Sequence, residues 1–223
     1  MDIKDYILYE DEYLLVCHKL PKIATQTSRI GEKDMVSLLK NYLYQQSVKK
    51  QEPYLAVIHR LDQMVEGLLV FAKTPFAAKE LSRQLQQKGF GKEYRAIVCK
   101  VPPQKEGTLT NYMVKDKRSN TSRICDENEM GAKRAVLHYE VKEERENGTA
   151  VLHICLETGR HHQIRVQLSN IGCGIMGDAK YNAGNYERKK WDKIALCAYR
   201  LSFTHPKTKK EMVFELDKEE CFP

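Results

Sequence analysis

His59-Arg60-Leu61-Asp62, followed four residues after the aspartate by Glu66-Gly67 and then by Leu68-Leu69-Val70-Phe71-Ala72, is the stretch whose reading decides the fold. Tyr54-Leu55-Ala56-Val57-Ile58 before it and Leu68 to Ala72 after it are apolar blocks bounded by polar or turn-forming residues, the pattern of short buried strands. The loop between them is polar. A carboxylate held between two buried strands is partly out of water, so Asp62 needs a cation or hydrogen-bond donors if it is to stay charged. His59 and Arg60 make the loop a charged cluster. Read alone, that cluster fits a structural ion pair at a strand end as well as it fits a reactive site.

Working outward towards the N-terminus, Ile7-Leu8-Tyr9 and Tyr13 to Cys17 flank the acidic triplet Glu10-Asp11-Glu12, which predicts a hairpin ended by Pro21. Met35, Leu38, Leu39, Tyr42 and Leu43 recur at helical spacing from Asp34 to about Gln46, with Asp34 as the capping residue. On the other side, Thr74-Pro75 opens a second helix along Ala77, Ala78, Leu81 and Leu85, which Gly89 closes. Lys92 to Cys99 follows as a strand that puts Tyr94, Ala96 and Val98 on one face.

Beyond Pro102-Pro103, Leu109 to Val114 reads as a strand and Lys115 to Arg134, rich in basic residues with Ser, Asn and Thr, as a stretch that begins as a mobile surface loop. Ala135 to Val141 and Ala150 to Leu156 alternate and are joined across Asn147-Gly148, a strong hairpin signal. A second polar cluster, Glu157-Thr158-Gly159-Arg160-His161-His162-Gln163-Ile164-Arg165, leads into a short helix expected to start just after Gly159, carry both histidines in its first turn and end at Gly172. Adjacent helical residues point about 100° apart and no third ligand is evident, so the two histidines do not predict a metal site. Gly172 to Asp178 is a glycine-rich turn, Tyr186 to Lys193 a charged segment holding Trp191, and Ala195 to Phe203 with Glu211 to Leu216 a closing hairpin.

The 223 residues, 42% hydrophobic and 30% charged, describe a globular chain able to bury a core and exclude a disordered one. No apolar run approaches the roughly 20 residues of a membrane helix, and Met1 to Asp5 carries no signal core. Thirty-seven basic against thirty acidic residues give a net charge of +7, which favours a polyanionic partner. Seven cysteines without a Cys-x-x-Cys pair point to reduced thiols and hence to a cytoplasmic protein. With no repeat and no linker, the expectation is one domain spanning 1–223, a monomer with no membrane partner.

Several stretches together resemble the RluA-type pseudouridine synthases, which isomerise uridine within RNA. They are His59-Arg60-Leu61-Asp62 with Gly67 to Thr74; Lys92-Glu93-Tyr94-Arg95-Ala96; Thr158-Gly159-Arg160 with His162-Gln163-Ile164-Arg165-Val166; and Gly177-Asp178 with Tyr181, in the family's order and at similar spacing. Two positions depart from the family pattern: Val65-Glu66 stands where Thr-Ser is common, and His161 where threonine is usual. Many relatives also carry an N-terminal RNA-binding domain of the S4 type; here only about fifty residues precede the aspartate motif, so the catalytic domain alone is expected.

The resemblance implies an α+β fold with a mixed, mainly antiparallel central sheet, flanking helices and a site in a basic cleft. It implies catalysis by Asp62, Tyr94 and Arg165, and RNA contacts by His59, Arg60, Arg160, His162 and Gln163. The reaction breaks the bond between ribose C1′ and uracil N1, turns the base and rejoins it through C5. No water has to be activated, so one carboxylate suffices, unlike the paired acids of glycoside hydrolysis. Asp62 would attack C1′ or take a proton from C2′, Arg165 would pair with it, and the Tyr94 ring would stack on the base. Arg60 would fill the gap left by the extruded nucleotide. Leu152 and Ile154 read as core residues with an outside claim to the uracil pocket. No cofactor and no metal are implied, and the partner is structured RNA, ribosomal or transfer. The rivals are a non-catalytic RNA-binding protein on the same scaffold and a hydrolase that pairs Asp62 with Glu66 or Asp178.

Overall fold

The computed structural model describes residues 2–27, 31–48, 50–87, 89–182, 193–217 and 221; the segment Tyr186 to Lys193, apart from Lys193, lies outside them. The chain forms two compact units, one of residues 1–92 with 198–223 and the other of residues 93–197.

The first unit opens with a short 3-10 turn, Ile3–Tyr6, and the hairpin β1 (Ile7–Glu10) and β2 (Leu14–Lys19). Asp11 makes its turn. The carboxylate accepts the backbone N–H groups of Tyr13 (2.7 Å) and Leu14 (2.9 Å), the Tyr9 hydroxyl (3.0 Å) and Nε2–H of His205 (2.7 Å). Burial pushes this carboxyl up, but the donors outweigh it and hold Asp11 below the usual carboxylate range. His205 Nδ1 accepts the amides of Lys207 and Thr208, so the second turn of the unit is tied to the first.

Helix α1 (Met35–Gln46) starts where the sequence indicates, with the Asp34 side chain accepting from Ser37 N–H and Met35, Leu39 and Leu43 turned inward. The run Tyr54 to Ile58 yields only a two-residue strand, β3 (Ala56–Val57), whereas Glu66 to Ala72 forms β4, buried along its whole length. β2 and β3 both pair antiparallel with β4. Helix α2 (Pro75–Gln86) packs on β4, opened by the Thr74 hydroxyl accepting from Ala77 N–H and closed by Gly89 N–H donating to Gln84. β10 (Leu196–Thr204) lies beside β4, and β11 (Glu211–Glu215) pairs antiparallel with β10. Gly67 permits the close approach: its φ is +136°, and a Cβ there would come within 2.5 Å of the Ala198 carbonyl oxygen.

The second unit is an antiparallel sheet in the order β5 (Gly91–Val98), β9 (Ala150–Leu156), β8 (Lys133–Glu144), β6 (Glu106–Asp116), β7 (Thr121–Cys125). β8 and β9 meet across Asn147-Gly148 as the dipeptide predicts, Gly148 taking a φ of +80°. The basic stretch expected to begin as a loop is instead the end of β6, a tight turn at 117–120 with Asn120 left-handed, and β7. Its polar residues alternate because one face of a hairpin is solvated, which hides the strand period. Helix α3 (Gln163–Asn170) packs Val166 against Met113 of β6 and Ala135 of β8, and Gly172 closes it with a φ of +74°. The fold class is α+β, as expected.

Candidate active site

Asp62 lies in the loop between β3 and β4, and the backbone on either side of it is tied down. Thr25 Oγ1 donates to the carbonyl of Leu61 (3.1 Å) and accepts its N–H (3.2 Å). On the other side the Lys19 ammonium donates to the carbonyl of Gln63 (3.1 Å), as well as to those of Leu20 (3.0 Å) and Ile23 (2.8 Å). Lys19 is completely buried. Desolvation pulls its pKa down to about 7 against the opposing pull of the Asp62 and Glu66 charges. A carboxylate flanked by two pinned peptides keeps its direction without large reorganisation.

Neither Lys19 nor Thr25 stands out in the sequence. The available signal was periodicity: Leu15, Cys17 and Lys19 share one strand face, so a lysine at the third position has to be buried with acceptors.

The neighbours of Asp62 part company. Arg60 is exposed, whereas His59 turns into the core, its Nε2 accepting Val70 N–H (3.4 Å) and its ring edge-on to Phe90 at 5.3 Å. Desolvation, with the Lys92 ammonium nearby, pushes the imidazole down to about 3, so His59 is neutral. Glu66, at a departure from the family pattern, is buried at the start of β4.

In the second unit Tyr94 sits on β5, only 7% exposed, directly across from Ile154 of β9. Ile154 and Leu152 are fully buried. Arg165 projects from α3 with 5% of its surface exposed, and its fork grips Asp178: Nε to Oδ2 at 2.7 Å and Nη2 to Oδ1 at 2.9 Å. Asp178 Oδ1 also accepts the amides of Lys180 and Tyr181, and the Arg165 guanidinium lies 5.0 Å from the centre of the Tyr181 ring. Asp178 is therefore engaged as a buried counter-ion.

The two histidines differ from expectation. The helix begins at Gln163, and His162 takes a left-handed backbone (φ 55°) just before it, so the His161 and His162 rings stack at 3.7 Å instead of diverging. Each reaches a different partner: His161 Nδ1 bonds Ser122 of β7 (2.8 Å) and His162 Nδ1 bonds the Tyr181 hydroxyl (2.6 Å). That hydroxyl accepts Ser122 N–H (2.8 Å), so it donates its own proton to His162. Gln163 is buried, accepting from Thr158 and from Arg160 N–H and donating to Val136 and Gln167. Arg160 is exposed, anchored by Nε to the Arg134 carbonyl (2.8 Å). Of the five residues assigned to RNA, Arg60 and Arg160 face solvent, while His59, His162 and Gln163 hold the loops that carry them.

The fold is that of RNA pseudouridylate synthase domains. The solved human RNA pseudouridylate synthase domain containing 4 superposes with a TM-score of 0.79 at 23% identity, covering 96% of this chain and 89% of that one. The corresponding human domain containing 1 gives 0.71 at 21% identity, covering 96% of this chain and 83% of its own. In sequence, residues 13–170 match the RNA pseudouridylate synthase family. An uncharacterized RNA pseudouridine synthase of Bacillus subtilis is 32% identical, covering 94% of this chain and 67% of its own. The ribosomal large subunit pseudouridine synthase D of Vibrio cholerae is 34% identical, covering 96% and 67%. The chain belongs to the RNA pseudouridylate synthase family and is an isomerase acting on RNA. Among the described residues no helix is long and apolar enough to cross a membrane.

Proposed function

We propose that the protein converts specific uridines of ribosomal RNA to pseudouridine, with Asp62 as the reacting carboxylate and Tyr94 and Arg165 acting with it. The observation that carries the reading is the backbone clamp around Asp62, Thr25 on Leu61 and Lys19 on Gln63, which fixes a single carboxylate in a strand-flanked loop. Relatives named for the large ribosomal subunit favour that RNA over transfer RNA. Asp62 lies in one unit and Tyr94 and Arg165 in the other, so the reading requires both units to work as one catalytic domain.

The roles follow from chemistry. Asp62 attacks C1′ or removes the C2′ proton; Arg165, its guanidinium oriented by Asp178, acts as its cationic partner; the Tyr94 ring stacks on the uracil. Arg60 and Arg160, exposed and cationic, meet phosphate and the unstacked neighbours of the target. The isomerisation moves a glycosidic bond without redox change or water activation, so it draws on no cofactor and no metal. We further place the enzyme, as a monomer, in the cytoplasm, a setting supported by seven cysteines without a Cys-x-x-Cys pair.

The test uses RNA from a strain lacking the gene. Wild-type protein restores pseudouridine at defined ribosomal positions, and Asp62→Asn, folded and still able to bind that RNA, does not. Activity retained by Asp62→Asn would remove the assigned role, and restoration only in transfer RNA would move the substrate.

A further inference from the structure

Strands β5 and β9 pair with Glu93 opposite Cys155 and Arg95 opposite His153. Alternation places these four side chains on one face of the sheet, and Tyr94 and Ile154 on the other. On that first face three different donor types converge. His153 Nε2 lies 3.3 Å from Cys155 Sγ and 3.7 Å from Glu93 Oε2, and the three ligand atoms all fall within 4.8 Å of one another.

Those separations match a metal's coordination shell. Tetrahedral Zn–S of about 2.3 Å and Zn–N or Zn–O of about 2.0–2.1 Å would put sulfur and nitrogen about 3.6 Å apart, and nitrogen and oxygen about 3.4 Å apart. The observed pairs lie within about 0.3 Å of that. All three residues are half-buried, close enough to the surface for an ion to enter and fixed on paired strands.

We propose that Glu93, His153 and Cys155 form a binding site for a thiophilic divalent cation of the zinc class, on the face of the sheet behind Tyr94. A thiolate, an imidazole and a carboxylate form the donor set that suits zinc and disfavours magnesium or calcium. On binding, the Cys155 thiol gives its proton to solvent and the sulfur forms the bond to the metal. His153 binds through the Nε2 lone pair with its proton on Nδ1, and Glu93 binds as carboxylate. Glu93 and the thiolate contribute two negatives and Arg95 one positive, so the pocket carries a net charge of −1 for an incoming dication and +1 once the ion is bound.

The next residues across on β8 are already used, His138 by Thr108 and Glu157 and Glu140 by Lys142, so water completes the fourth position. The ion would cross-link the strand bearing Tyr94 to its neighbour and take no part in the isomerisation.

The experiment titrates Co2+ into the full chain with its thiols reduced. One equivalent should produce the intense near-ultraviolet thiolate-to-cobalt band with the visible bands of a four-coordinate ion, and Zn2+ should abolish both. Cys155→Ser should remove the thiolate band, Cys125→Ser, which changes another half-exposed thiol, should leave it, and His153→Gln should weaken Zn2+ binding by at least the roughly 10–100-fold that follows loss of even an outer-shell partner. Circular dichroism shows which variants are folded; if Cys155→Ser is not, His153→Gln carries the test. No thiolate band in the native chain, a band persisting in folded Cys155→Ser, or native Zn2+ affinity in His153→Gln overturns the proposal.

Discussion

The buried imidazole of His59 makes acid sensitivity a calculable property of this chain. In the folded state its pKa is about 3; in an unfolded chain it is near the ordinary ~6.5. Below pH 6.5 the unfolded state therefore takes up a proton that the folded state refuses, and stability falls with falling pH until about 3, while above 6.5 this group contributes no slope. Between pH 7.5 and 4.5 the window covers about two pH units, or roughly 2.7 kcal/mol at 1.36 kcal/mol per unit. The comparison is with His59→Gln, whose amide oxygen can accept the Val70 N–H in place of Nε2 and does not titrate. Urea unfolding of both proteins at the two pH values gives the answer as a difference of differences, in which Asp11 and every other acid-titrating group cancel. The variant is expected to lose about 2.7 kcal/mol less than the wild type on acidification, whatever its stability at pH 7.5. Equal losses in the two proteins, or an imidazole resonance of His59 titrating near 6.5, would refute the burial argument.

Gly67→Ala should cost about 3 kcal/mol or more, because the left-handed backbone and the Ala198 carbonyl both exclude a methyl group; a thermal melt that barely moves would show that the strands separate freely. Lys19→Met leaves the carbonyls of Leu20, Ile23 and Gln63 without their donor, so turnover should fall about tenfold or more as the Asp62 loop loosens, with the equilibrium RNA affinity held within about twofold. Single-turnover kinetics alongside filter binding separates the two quantities.

Much of the framework was legible because it rests on local chemistry. Thr74-Pro75, Asp34 and Asn147-Gly148 each satisfy or shape the backbone within a few residues, and each stands where it was read. The β6–β7 hairpin was not legible, since Lys115 to Cys125 carries its strand period in polar residues with one face in water. The site followed the same division. Asp62, Tyr94 and Arg165 are named by motif, but which polar residues turn inward depends on partners distant in sequence. Gln163 meets Val136, His161 meets Ser122 and Lys19 meets Gln63 through contacts that no window of sequence contains. His59 and Arg60 are adjacent and equally polar on paper; only the tertiary structure buries one and exposes the other.

The first unit is assembled from the beginning and the end of the chain, while the second is one continuous stretch. On the ribosome, β4 is synthesised more than a hundred residues before β10, which lies beside it, so its buried flank waits as an open edge until residues 196–204 have emerged. The continuous unit can mature in that interval. The order of birth thus makes the aspartate-bearing half the last to become competent, and makes a nascent chain stalled before residue 198 a natural client for chaperones.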